Sequence, residues 1–320
     1  MKVAVLGGGR SSEHDVSLRS AESVARGLEE AGHEVLRVTI SRRGAWSCDG
    51  EAVELIPGEG LLGADAAFPA LHGPFGEDGS VQGLLEWLDI PYVGSDVLSS
   101  AVCMDKLTLK RLFAQAGIPQ VDFAAAGEPG WRERCEEMGA PLWVKPSRLG
   151  SSVGISRVEG LGDELDEAVE LSRRHDPRVI IEANASGREV ECSLLGNEEV
   201  EASQPGEVVA NGNWYDYETK YRDGGMELVV PAPIGEEQLA RVRELAVRAF
   251  ELAGCSGLAR CDFFVEPGGA VLVNEINTMP GFTETSVYAK LWEGLDYPFL
   301  CDRLIALAVE RHTKARSYRF

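Results

Sequence analysis

An α/β protein of more than one domain is the fold the sequence predicts, and three observations predict it. The first is a strand, glycine turn and helix opening. The apolar run Lys2 to Leu6 leads through Gly7, Gly8 and Gly9 into a helical pattern carried by Val16, Ala21, Val24, Ala25 and Leu28. The second is the alternation of further strand candidates, Glu34 to Ile40 and Ala66 to Leu71, with helical stretches, which suggests a small open sheet reaching to about residue 95. The third is size: 320 residues, 44% hydrophobic and 26% charged, are enough for two or three domains of about 150 residues each.

The remaining elements follow in order. Gly94-Ser95-Asp96 offers cap chemistry for one amphipathic helical stretch through Met104, Leu107, Leu109, Leu112 and Phe113, stopped by Ala116-Gly117-Ile118-Pro119. A second domain, 96–183, then holds a strand Pro141 to Lys145, a loop of glycine and serine, a strand from Val153, and a helix and strand ending at Glu182. The turn Asn184 to Gly187 opens a third domain, 184–320. It contains an alternating strand Glu189 to Leu195, a long polar loop 206–225, and a helix Glu236 to Ala253 with Leu239, Val242, Leu245, Ala246, Ala249 and Leu252 on one face. The basic tail Arg311 to Arg319 is expected to be a solvated end.

Charge excludes some partners. With 52 acidic and 31 basic residues the formal charge is −21, so the summed field repels nucleic acid and anionic membrane surfaces. An anionic ligand must be held by a local cluster of Lys, Arg and backbone N–H groups, with a metal ion. The seven cysteines (48, 103, 135, 192, 255, 261, 301) are scattered without a CxxC, which argues against a disulfide framework or structural zinc and for a reducing compartment. The opening apolar stretch is too brief for a signal peptide, and no long apolar run follows, so a cytoplasmic protein is expected. The glycine run lacks the third glycine of a dinucleotide fingerprint, Ser12 standing in its place.

Chemistry concentrates in Gly257 to Gly281, where two strand-like runs flank Pro267-Gly268-Gly269. A tight turn at Gly268-Gly269 pairs Asp262 with Glu275 and Arg260 with Asn277, and the period of two puts all four on one face. Two carboxylates and an amide oxygen so close suit Mg2+ holding nucleotide phosphates, with Arg260 as a fork for an oxyanion. A solvent-facing strand pair with a cross-strand ion pair is the alternative, disfavoured by Phe263, Phe264, Val271 and Val273. The loop after Lys145, with Gly150, Ser151, Ser152 and Gly154, can bring backbone N–H groups to phosphate oxygens but is not a Walker A loop. Taken alone, Lys106 reads as a surface helix lysine.

Together these motifs resemble the D-alanine:D-alanine ligases of the ATP-grasp family over nearly the whole chain. The carrying segments are Gly8 to Ser17, Leu71-His72-Gly73-Pro74-Phe75-Gly76-Glu77-Asp78-Gly79, Lys145-Pro146 with Gly150 to Gly154, Tyr215 to Tyr221, Arg260-Cys261-Asp262, and Asn274 to Gly281. The resemblance implies three ATP-grasp domains: 1–95 with the first D-alanine site, 96–183, and 184–320 with a lid at 206–225. It implies that Lys106, Lys145, Ser151, Ser152, Val153, Glu182, Glu189 and Lys220 hold ATP, and that Asp262, Glu275 and Asn277 ligate two Mg2+, with Mn2+ able to substitute. Glu13 would pair with the ammonium of the first D-alanine near His72, and Ser286 with the carboxylate of the second. Arg260 and the N–H of Gly281 would stabilise the oxyanion, and Ser151 and Tyr221 would link to Glu13. Relatives with this pattern are homodimers. Leu149 and Ala183 to Ala185 depart from the usual form, in places that bear on adenine packing. Tyr221 favours the dipeptide product over D-lactate, D-serine or L-amino-acid acceptors. A nucleotide-sensing module is disfavoured by the joint presence of Lys145, Lys220, Arg260, Asp262 and Glu275.

Overall fold

In a computed structural model that describes residues 1–210 and 226–318, three sheets follow one another along the chain. β1 (Lys2–Gly8) runs into α1 (His14–Glu30), and β2 (Glu34–Ile40), β3 (Trp46–Cys48), β4 (Glu51–Ala52) and β5 (Ala66–Pro69) complete a sheet of order β4-β3-β2-β1-β5. β1 is parallel to both neighbours, and its Val3, Ala4, Val5 and Leu6 are buried, as a central parallel strand covered on both faces requires. The turn after it needs glycine: Gly8 has φ +93, and a Cβ there would lie 2.3 Å from the carbonyl oxygen of Ile40.

α2 (Ser80–Leu88) precedes a departure from expectation. The single helix expected after Asp96 is two, α3 (Val97–Met104) and α4 (Lys106–Ala116), broken at Asp105 with φ −91 and ψ 96. Asp105 turns out of the helix and accepts from the Thr108 N–H at 3.1 Å, so cap chemistry wins over apolar periodicity. β6 (Phe123–Ala125), α5 (Trp131–Met138), β7 (Leu142–Pro146), β8 (Ser156–Val158), α6 (Asp163–Arg173) and β9 (Val179–Ala183) build an antiparallel sheet of order β6-β9-β7-β8. The strand expected from Val153 starts at Ser156, because Ser151, Ser152 and Gly154 have φ of 53, 59 and 71. Leu142, Val144, Val179 and Ile181 pack in one core with Leu165, Ala168 and Val169 of α6. The period of two then turns Trp143, Lys145 and Glu182 to the other face.

β10 (Arg188–Gly196), β11 (Val200–Ala202), β12 (Gly206–Ala210), β13 (Met226–Val229), α7 (Glu236–Leu252), β14 (Gly257–Val265) and β15 (Val271–Asn277) follow, before α8 (Val287–Lys290) and α9 (Tyr297–Arg316). Among the described residues the sheet order is β13-β12-β10-β14-β15, with β11 on β10. Residues 206–210, expected to open a long loop, are strand, and the rest of that expected lid, 211–225, lies outside the described residues. Val190, Cys192, Leu194, Cys261 and Phe263 pack against Val242, Leu245 and Ala249 of α7, and this core also takes in Cys103, Leu109 and Phe113 from α3 and α4.

Val3, Val5, Val24 and Leu28 share a second core with Leu300, Cys301 and Leu304 of α9, so the first and last segments are packed as one. The basic tail is exposed from Thr313 to Tyr318, as a solvated end should be, but it is helical as far as Arg316 and docked at its start. α9 runs through it, and Arg311 stacks 4.2 Å over the Tyr92 ring while donating to the Tyr92 carbonyl at 3.0 Å. The long aliphatic stem and planar head of arginine make this docking favourable where periodicity alone reads only charge.

Gly8→Ala is expected to lower Tm well beyond Gly32→Ala. Both residues have positive φ, a strain of about 1–2 kcal/mol for a non-glycine residue, but only Gly8 adds a clash with backbone. Parallel thermal denaturation of the two variants checks this.

Candidate active site

The hairpin of β14 and β15 brings Asp262 opposite Glu275 and Arg260 opposite Asn277, as expected, but by another route. Near the turn the pairs are Val265 with Val271 and Phe263 with Val273, one residue out of step with a tight Gly268-Gly269 turn. A bulge between Asp262 and Phe263 restores the register. It also flips the alternation of β15: Val271, Val273 and Ile276 lie in the α7 core, which leaves Glu275 and Asn277 to the opposite face. On the neighbouring strand β10, Glu191 pairs with Asp262, so Glu191, Asp262 and Glu275 form a row of carboxylates across three strands.

Cations meet this row. Arg260 donates through Nε and Nη2 to both Asp262 oxygens at 2.7 Å, and its Nε lies 3.0 Å from Glu191. The break at Asp105 makes Lys106 the first residue of α4, where its ammonium donates to the Leu149 carbonyl at 3.0 Å and pairs with Glu275 at 3.2 Å. Lys145, at the end of β7, pairs with Glu182 at 2.6 Å. Burial works against its charge, yet Glu182, with Glu275 and Glu189 adding to it, holds the Lys145 pKa above the ordinary lysine value. The other Glu182 oxygen lies 2.8 Å from Lys110, both side chains being almost wholly buried. Burial would raise the Glu182 carboxyl, but Lys110 and Lys145 hold it well below the usual carboxylate range.

The loop after β7 ties these groups to the N-terminal sheet. Buried Ser147 donates to Asp105 at 2.7 Å and accepts from the Leu107 N–H at 3.0 Å, which docks the loop on the start of α4. Ser151 donates to Glu13 at 2.5 Å, and the Val153 N–H donates to the Gly150 carbonyl at 3.3 Å. Glu13 is buried just before α1, and Gly73 makes room for it, since a Cβ there would lie 2.5 Å from its carboxylate. His72 is buried with Nδ1 3.1 Å from the Met279 carbonyl and Nε2 2.8 Å from Ser20 Oγ. A carbonyl only accepts, so Nδ1 carries the proton and Nε2 accepts from the serine. Burial lowers the His72 pKa, with Glu13 partly opposing, which favours the neutral ring. Gly281 and Ser286 are close: a Cβ on Gly281 would lie 3.6 Å from Ser286 Oγ, which accepts from the Thr283 N–H at 2.9 Å.

Three residues of this region are given no role in the sequence reading. Lys110 stands one turn after Lys106, so the spacing could have flagged it. Glu191 stands two after Glu189 on an alternating strand. Glu77 accepts from the Gly73 N–H at 2.7 Å, and burial, followed by the Glu13 charge, pushes its carboxyl well above the usual range. Lys220 and Tyr221 lie outside the described residues.

For a cation, Asp262, Glu275 and Asn277 offer hard oxygen donors, and Asn277 Oδ1 also accepts from the Met279 N–H at 3.1 Å. Among the described residues no group of three His, Cys, Asp or Glu side chains is arranged to hold a metal ion. Two carboxylates and an amide nevertheless fit Mg2+, which usually takes one or two carboxylates and draws its other oxygens from phosphates and water.

Comparison with known proteins identifies the family. Residues 2–60 and 57–95 match the family model for the D-ala D-ala ligase N-terminus, and 112–306 match that for the C-terminus. The D-alanine--D-alanine ligase of Deinococcus radiodurans is 47% identical over 335 residues, covering 97% of this chain and 98% of that protein. That of Thermoanaerobacter sp. (strain X514) is 43% identical over 351 residues, covering 98% of both. The D-alanine-D-alanine ligase from Coxiella burnetii superposes with a TM-score of 0.89 at 35% identity, covering 99% of this chain and 96% of that one. The VanG D-Ala:D-Ser ligase from Enterococcus faecalis does so at 0.86 and 35%, covering 96% and 99%. With both halves matched, relatives alike over their full length, and lysines and carboxylates gathered where three sheets meet, the chain belongs to the D-alanine–D-alanine ligase family.

Proposed function

We propose that this protein joins two D-alanine molecules, converting ATP to ADP and phosphate, as the names of its relatives indicate. The observation that carries the reading is the contact of Ser151 with Glu13. It brings the loop that follows Lys145 against a buried carboxylate at the amino-acid end, so phosphates and an ammonium can be held side by side.

A carboxylate is a poor electrophile, so the first D-alanine attacks the γ-phosphorus, the bond to ADP breaks, and an acyl phosphate forms. The amine of the second D-alanine then attacks the carbonyl, loses a proton, and phosphate leaves as the peptide bond forms. Lys106 and Lys145 hold the triphosphate, and the N–H groups of the loop at Ser151, Ser152 and Val153 cover it. Glu182 orients Lys145, and Glu189 binds at the nucleoside end. Mg2+ at Asp262, Glu275 and Asn277 would offset triphosphate charge when bound. Glu13 takes the first ammonium beside neutral His72. Arg260 and the Gly281 N–H face the tetrahedral oxyanion, and Ser286 takes the second carboxylate. We assign Lys220 to the transferring phosphoryl group and Tyr221 to the Ser151–Glu13 link. A cytoplasmic homodimer is part of the same proposal; no helix among the described residues is long and apolar enough to cross a membrane.

Incubation with ATP, Mg2+ and D-alanine is expected to release phosphate and D-alanyl-D-alanine in equal amounts. Dominant product with D-lactate or D-serine would overturn the choice of acceptor. Glu275→Gln is expected to lower kcat by more than about 100-fold, and near-normal turnover would make the hairpin purely structural. Lys110→Met leaves Glu182 half-paired in a buried place, a loss of about 3 kcal/mol, and acts through Lys145 to raise KM for ATP more than KM for D-alanine. Because the Glu182 carboxyl is held low, its pairs stabilise the fold above the ordinary carboxylate pKa of about 4.3, and that contribution fades as pH falls below it. Glu182→Gln is therefore expected to flatten the acid limb of a stability–pH curve.

A further inference from the structure

Arg260 carries more counter-charge than its place at the oxyanion explains. Both oxygens of Asp262 are taken by its Nε and Nη2 at 2.7 Å, and Glu191 stands 3.0 Å from the same Nε. The side chains of Arg260, Asp262 and Glu191 are 18%, 14% and 11% exposed, so none of them can hand its charge fully to water. Glu191 and Asp262 are direct cross-strand partners of β10 and β14, and side chains so paired share a face.

Asp262 is also an expected cation ligand, and the two tasks compete. Each oxygen it turns to a divalent cation is one withdrawn from the guanidinium. A partly buried guanidinium that loses its counter-charge swings toward the next anion in reach, here a phosphate or a substrate carboxylate, instead of presenting its N–H groups to a tetrahedral oxygen. Glu191 is the anion that stays. It is fixed on a different strand, its Oε2 lies 3.0 Å from the Nε whose one N–H Asp262 now takes, and it is placed to accept that N–H when Asp262 turns to the cation.

We infer that Glu191 is a positioning residue that holds Arg260 by Nε while Asp262 engages the cation, leaving the Nη groups for the oxyanion. The inference rests on the ligase reading above. A role as a further metal ligand fits less well, since the described residues contain no three-acid metal group and Glu191 faces the guanidinium.

Glu191→Gln keeps the shape and removes the charge. It is expected to lower kcat on the order of 10–100-fold, while KM for ATP and calorimetric Mg2+·ADP binding stay within about twofold. Combined with Arg260→Lys it should add little further loss, since the two act as a unit. In 1H–15N spectra, the Arg260 Nε–H signal, assigned by its loss in Arg260→Lys, should remain slowly exchanging in the wild type with Mg2+ and ADP and be lost in Glu191→Gln. A raised Mg2+ requirement would overturn the inference by making Glu191 a ligand. A lowered Tm with unchanged kcat and an unchanged Nε–H signal would overturn it by making Glu191 structural. If the wild type forms no dipeptide, the ligase reading falls, and the Nε–H signal still decides whether Glu191 holds Arg260.

Discussion

Three carboxylates standing side by side on adjacent strands is the constraint from which much of this site follows. Neighbouring strands are about 5 Å apart, and like charges at that distance in a partly buried place destabilise a sheet unless cations are built in beside them. Arg260 answers Glu191 and Asp262, and Lys106 answers Glu275. Lys106 reaches because α4 begins at residue 106, and α4 begins there because Asp105 leaves the helix and is gripped by Ser147. A second balance lies behind the first, with Glu182 between Lys110 and Lys145. The site is thus two charge balances, one on each of two sheets, joined by α4, which gives Lys106 to the first and Lys110 to the second.

The surroundings of Glu13 are organised on the opposite principle. Glu13, His72 and Glu77 are close together, yet burial drives His72 to its neutral form and pushes Glu77 toward its own. The proton on His72 Nδ1 is committed to the Met279 carbonyl, which belongs to the segment after β15. One imidazole thereby ties the segment after β5 to the segment after β15.

Much of this was legible in the sequence where local rules suffice. The first strand and glycine turn, the helix Glu236–Leu252 and the pairing of Asp262 with Glu275 all follow from periodicity and turn residues. The hairpin register came out right at the site although the turn near Gly268 was misjudged, because the bulge offsets the error by one residue. What escaped depends on contacts distant in sequence. The spacing from Lys106 points to Lys110, but its burial shows only once β9 places Glu182 against it. Glu191 gains meaning only when β10 is known to pair with β14. Arg311 sits in a basic run that reads as solvent-facing, and only the placement of Tyr92 gives it a partner.

The shared packing of α1 with α9 has a consequence for how the chain comes into being. Val24 and Leu28 are made well over 200 residues before Leu300, Cys301 and Leu304, which cover them. At about 5–20 residues per second the nascent N-terminal sheet waits on the order of tens of seconds with that helix flank uncovered. Synthesis of the segment that carries α9, rather than completion of the first sheet, is then the event that seals it.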